Sequence, residues 1–153
     1  MPRGAHPLHV GYLLQADGRW NRYGEYGCLY TALSQKGATT EYEKMLRQLG
    51  ISPAEDAERD LVSIDVDVAH VFDLTAPSVI NKLGIDWPMI TSDSAESIEL
   101  CRTLADYARA YGNNAIMSPS AAAPGEVNLS IYVDGTASDV NLRDGALRLP
   151  LNY

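Results

Sequence analysis

The sequence predicts an α+β fold: a mainly antiparallel sheet, continuous or split, with helices at its flanks. Three observations carry this reading. Predicted strands outnumber helices, several follow one another with no helix between them, and no regular strand–helix alternation runs through the chain, as a doubly wound parallel sheet would require. Residues 9–14 form a short apolar segment, and residues 18–27 a turn-rich stretch with three glycines and three aromatics. That composition suits a surface loop with a binding role better than a packed element. Residues 28–33 read as a strand. Tyr42, Met45, Leu46 and Leu49 recur at helical spacing, which predicts a helix from Thr39 or Thr40 that stops at Gly50.

Ser52-Pro53-Ala54-Glu55 has the form of a capping box with proline at the first helical position, so a short acidic helix or turn over 53–59 is expected. Val62, Ile64, Val66 and Val68 alternate with Ser63, Asp65 and Asp67, the signature of a strand with one polar face. A short strand over 71–74 precedes Thr75, a candidate cap for a helix that runs to Leu83 before Gly84. Ile98, Cys101, Leu104, Ala105, Ala108 and Tyr111 mark a longer helix ended by Gly112. Strands at 115–117 and 127–133 flank a loop of small residues over 118–126. No repeat, low-complexity tract or interdomain linker interrupts the 153 residues, so a single domain over 1–153 is expected.

Hydrophobic residues make up 46% and charged residues 21% of the chain. These values exclude disorder, fibres and disulfide scaffolds. No apolar run is long enough for a spanning helix, and the first ten residues have no apolar core or small-residue cleavage site, so a cytoplasmic protein is expected. Twelve Lys plus Arg against twenty Asp plus Glu give a net charge of −8, which disfavours nucleic acid as a direct partner. Cys28 and Cys101 lie far apart with no second cysteine near either, and His6, His9 and His70 fall in no ligand pattern, so no metal site is expected. Asp65, Asp67 and Asp73 could suggest a metal, but Asp65 and Asp67 alternate with the apolar residues of a strand and are more simply its solvated face.

The remaining chemistry belongs to carboxylates and arginines. Arg19 sits in the glycine-bounded aromatic loop, Tyr30 on the strand after it, and Glu41 in the expected first turn of the next helix. A loop, a strand and a helix start can meet at one end of a sheet. There an arginine fork suits a pyrophosphate, a tyrosine ring can stack on a flat heterocycle, and a carboxylate can stabilise positive charge developing on a sugar carbon. The plainer alternative makes Arg19 and its neighbour Arg22 solvated loop residues, Tyr30 a core aromatic, and Glu41 a charge favoured by the helix dipole. No Gly-x-Ser-x-Gly elbow, P-loop or Gly-x-Gly-x-x-Gly fingerprint is present.

Gly18-Arg19-Trp20-Asn21 with Gly24, Leu29-Tyr30-Thr31-Ala32, residues 38–41, Val71-Phe72-Asp73-Leu74-Thr75, Pro119-Ser120-Ala121-Ala122, and Gly125 followed by Asn128-Leu129 occur in an order and spacing that resembles the RES-domain family, toxins of bacterial toxin–antitoxin pairs. The resemblance implies a fold related to ADP-ribosyltransferases and a site for NAD. On it, Glu41, Arg19 and Tyr30 are the candidate catalytic residues, and Arg19, Tyr30, Ser120 and Asn21 the candidate substrate-binding residues. The chain departs from the family at Ala123, where the Pro-Ser loop often carries an arginine. The implied activity is cleavage of the nicotinamide–ribose bond of NAD, with water or phosphate as acceptor. NAD is then a substrate, and no further cofactor is expected. The alternatives are transfer of ADP-ribose to a target protein and, in another class, a non-catalytic module that only meets its antitoxin. The expected partners are NAD, a cognate antitoxin and a second copy of the chain, with no membrane.

Overall fold

A computed structural model describes residues 1–6, 8, 13–134 and 139–151. Most of the expected 9–14 segment lies outside them, and Leu13–Gln15 form one 3-10 turn. The strands are β1 (Cys28–Ala32), β2 (Asp60–Val68), β3 (Val71–Asp73), β4 (Ala115–Pro119), β5 (Val127–Tyr132) and β6 (Val140–Pro150). The helices are α1 (Gln35–Leu49), α2 (Pro77–Leu83), α3 (Trp87–Thr91) and α4 (Ala95–Ala110). The sheet is split. Four strands run in the order β1-β5-β4-β3, and β2 pairs with β6 alone. Every pairing is antiparallel except β3 with β4, whose connection carries α2, α3 and α4.

Register assigns the two faces of the larger sheet, because residues directly opposite on paired strands project to the same side. Cys28 faces Tyr132, Tyr30 faces Ser130 and Ala32 faces Asn128; Ile116 and Ser118 on β4 face Ser130 and Asn128 in turn. One end of this face is apolar. Cys28, Ile116 and Tyr132 pack there with Trp20, Tyr26, Ile80, Ile90 and the small stripe Cys101, Ala105, Ala108 of α4. The other end carries Tyr30, Ser118 and Asn128 and stays polar. The opposite face buries Ala115, Leu129 and Ile131 beneath Val68, Val140 and Leu142 of the β2–β6 ribbon.

The structure corrects several expectations. Helix α1 begins a turn earlier than Thr39, at Gln35, because the Ser34 hydroxyl accepts the Gly37 N–H at 2.9 Å and caps it. Thr75 caps nothing: its hydroxyl and N–H both donate to Asp73 Oδ1, and α2 starts from Ala76 with proline at its first position. Ser52 and Glu55 do form their capping box, around a 3-10 turn confined to Pro53–Glu55. The short helix α3, capped by Asp86, and the long strand β6 were not anticipated. Trp20, Asn21 and Tyr26 are buried, so much of the 18–27 stretch is a packed element instead of a surface loop. Arg22 is no solvated neighbour either. It pairs with Glu99 through two nitrogens and with Asp106 through Nε, fastening the stretch to α4.

Candidate functional site

Helix α1 enters the site because Gly37 lets it. A Cβ there would press on Ser34 Oγ, Ala32 Cβ and Glu126 Cβ at 3.2 to 3.5 Å, so the helix starts tight against the end of β1 and the loop before β5. Its first turn therefore runs out before Glu41, which is the seventh helical residue and gains little from the dipole. Instead, Glu41 Oε1 accepts two hydrogen bonds of 2.6 Å, one from Ser120 Oγ and one from Asn128 Nδ2. Bonds this short to a carboxylate are the strong, charge-assisted kind. Its other oxygen, Oε2, has no hydrogen-bond partner among the described residues and is open to solvent. No cation pairs with Glu41 among those residues, so the negative charge is uncompensated.

Ser120 is buried, and its hydroxyl also accepts the N–H groups of Ala122 and Ala123 at 3.1 and 2.9 Å. The serine thus ties a small-residue loop and a carboxylate together, and its role is to aim Glu41. Ala123, the departure in the Pro-Ser loop, is 4% exposed and thus buried. Asn128 Oδ1 is buried with no hydrogen-bond partner among the described residues.

Tyr30 is 45% exposed as a residue, while its hydroxyl is tied inward. That hydroxyl accepts the Trp20 N–H and donates to Asn21 Oδ1, both at 2.8 Å. Burial first, and then the neighbouring Cys28, raise the phenol far above its ordinary pKa, so it stays protonated. A hydroxyl committed in this way is no general base. What Tyr30 offers a ligand is the face of its ring. Asn21 is 1% exposed, with its Nδ2 donating to Ala16 O, and so supports Tyr30 from behind. Gly18 completes the seat, since any side chain there would run into the Tyr30 hydroxyl.

Arg19 turns the other way, along the α3–α4 connection. Its Nη1 donates to Ile90 O, Ser92 O and Ser97 Oγ at 2.8 to 3.2 Å, and its Nη2 to Asp93 Oδ1 at 3.1 Å. The same Asp93 oxygen accepts Lys44 Nζ at 2.7 Å, and Lys44 also donates to Ala121 O at 3.1 Å. Lys44 lies three residues after Glu41 on α1, hence on the same side of the helix. A shallow groove of about 420 Å3 opens here, lined by Lys44, Arg47, Gln48, Asp93, Ala121 and Ala122.

Glu41 and Ser120 are therefore in direct contact, and Arg19 is tied through Asp93 and Lys44 to the carbonyl of Ala121, the residue after Ser120. Tyr30 shares the polar end of one sheet face with Asn128, and Trp20, next to Arg19 in the chain, holds its hydroxyl. The sequence reading missed Lys44, Asp93 and the role of Asn128. Only Asn128 had a signal, its place in the motif after Gly125. Lys44 reads as one more charge on an amphipathic helix, and Asp93 as a polar residue before a cap. Among the described residues no group of His, Cys, Asp or Glu could hold a metal ion. No described helix is long and apolar enough to cross a membrane.

No curated protein matches the chain. Among solved structures, it is similar to a chain of the M. tuberculosis MbcT–MbcA toxin–antitoxin complex at 22% identity, with a TM-score of 0.77. The match covers 99% of this chain and 80% of that one. Likeness at this identity speaks for a shared α+β fold. The model of the RES domain matches residues 4–152, nearly the whole sequence, and the chain belongs to the RES-domain family.

Proposed function

We propose that the protein is the toxin of a toxin–antitoxin pair and that it cleaves the nicotinamide–ribose bond of NAD. The observation that carries this reading is the Glu41 carboxylate, locked through one oxygen by Ser120 and Asn128 and open at the other, with no cation among the described residues to neutralise it. Breaking a bond at the anomeric carbon builds positive charge on the ribose ring as the leaving group departs. A fixed, uncompensated carboxylate stabilises that charge without having to reorganise, and its free oxygen can hold a ribose hydroxyl. Tyr30 supplies a ring face for the nicotinamide or the ribose, and the Arg19–Lys44 side supplies positive charge for the pyrophosphate. The acceptor in this reading is water or phosphate, which reaches the carbon from the open groove.

Purified protein should release nicotinamide from NAD, and Glu41→Gln should not. Absence of release by folded protein would reject the enzyme and leave a binding module. For the partner we propose a cognate antitoxin, on the strength of the family and of the complex that the fold resembles. The charge of −8 favours basic residues at the rim of that partner, where charge mainly sets association rate. Expression of the chain alone should then arrest growth, the neighbouring gene product should restore it, and association should slow as salt rises.

A further inference from the structure

We propose that Asp93 is an internal counter-anion that occupies Lys44 of the groove and the adjoining Arg19 and must leave them when a diphosphate binds. Three observations converge on it. A single carboxylate oxygen, Asp93 Oδ1, accepts from both Lys44 Nζ and Arg19 Nη2, at 2.7 and 3.1 Å. These cations come from separate elements, and among the described residues neither is paired with any other carboxylate. Finally, the cation side chains are recessed, at 18% and 14% exposure, whereas Asp93 comes in from the rim at 54%.

Two recessed cations converging on one point would repel each other without an anion between them. A carboxylate that stands half in water satisfies them at low cost and can be released at low cost, because what it loses in pairing it regains in hydration. The groove beside them is lined in part by Ala121 and Ala122, whose small side chains leave room for an anion to approach. A diphosphate carries more charge than one carboxylate and offers several oxygens to the two donors, so it displaces Asp93 instead of adding to it. Affinity for the nucleotide is lowered by the fraction of molecules in which Asp93 holds the cations. Asp93 thereby sets how much substrate is needed, without touching the bond that breaks. The identification of the ligand as a dinucleotide rests on the NAD reading; the displacement itself does not.

The test is calorimetric titration of the whole protein with inorganic pyrophosphate and with ADP-ribose, neither of which contains the nicotinamide bond. Asp93→Asn keeps the shape and removes the charge, and Asp93→Ser guards against a folding defect peculiar to asparagine. Both should bind pyrophosphate about five-fold more tightly than the parent, and adding Lys44→Met should cancel the gain. Unchanged or weaker binding in both variants, or no binding of pyrophosphate by any form, overturns the inference. Tighter pyrophosphate binding in a protein that leaves NAD intact upholds the displacement and removes the NAD reading. Consumption of NAD with affinity unchanged in both variants does the reverse.

Discussion

Replacing Glu41 by glutamine separates charge from shape at the centre of the site. Both donors, Ser120 Oγ and Asn128 Nδ2, converge on Oε1, so a glutamine can place its carbonyl oxygen there and keep both hydrogen bonds. Each passes from a charge-assisted bond, worth about 1.5 to 3 kcal/mol, to a neutral one of about 0.5 to 1.5 kcal/mol. The cost to stability is about 2 to 3 kcal/mol, reduced by the easier burial of a neutral group. For a chain of this size that lowers Tm by less than about 12 °C, so the variant remains folded at 25 °C. Cleavage should fall by roughly 100-fold or more, because the stabilisation of the cationic sugar is lost. Glu43→Gln is the control. Glu43 is two positions round the helix, half exposed, and among the described residues its one ion pair is the 4.0 Å contact with Arg47, so the rate should not change. Nicotinamide release measured on both variants, with melting curves alongside, decides the matter. A folded Glu41→Gln protein that consumes NAD at the parent rate would refute the assignment.

Arg19→Ala should weaken NAD binding and loosen the α3–α4 connection together, while Arg22→Ala should loosen only the attachment to α4; titration of NAD into both variants in the Glu41→Gln background distinguishes them, and equal losses of affinity would remove the case for Arg19. Gly18→Ala should cost about 1 to 3 kcal/mol in urea denaturation, because the new methyl must push the Tyr30 hydroxyl off Trp20 and Asn21. Asp60 is held below the usual carboxylate range, first by the Arg148 hydrogen bond at 2.7 Å and also by Gly4 N–H and Arg3. Its contribution is thus fully present above about pH 4 and is lost as pH falls through its folded-state value. Asp60→Asn should accordingly flatten the acid limb of the stability curve and lower its neutral plateau, as read by melting temperature against pH.

Where apolar residues recur with a period, the sequence was legible: α4 from its stripe, β2 from its alternation, and the stops at Gly50 and Gly84 from the left-handed conformation that glycine takes at little cost. Three parts were not. The first turn of α1 has no apolar residue to announce it, and packs through what Gly37 lacks. Strand β6 loses its alternation at a shift of register opposite Ser63, where Gly145 sits against the partner backbone. The chain Arg19–Asp93–Lys44 joins residues from three elements, and one-dimensional spacing has no record of that meeting. Glu41, Tyr30 and Ser120 could be named from their motifs, yet whether each faces a ligand or supports a neighbour depended on where their hydrogen bonds go.

The order in which the site's parts leave the ribosome has a consequence of its own. Glu41 meets its two donors 79 and 87 residues later in the chain, and among the described residues β1 has β5 as its sheet partner. Contacts between such distant segments form slowly and late. A nascent chain that has already made Arg19, Tyr30 and Glu41 therefore still has no aimed carboxylate and no floor beneath it. The arrangement keeps unfinished chains inert, and any truncation before residue 128 should yield a polypeptide without the activity, whatever else it retains.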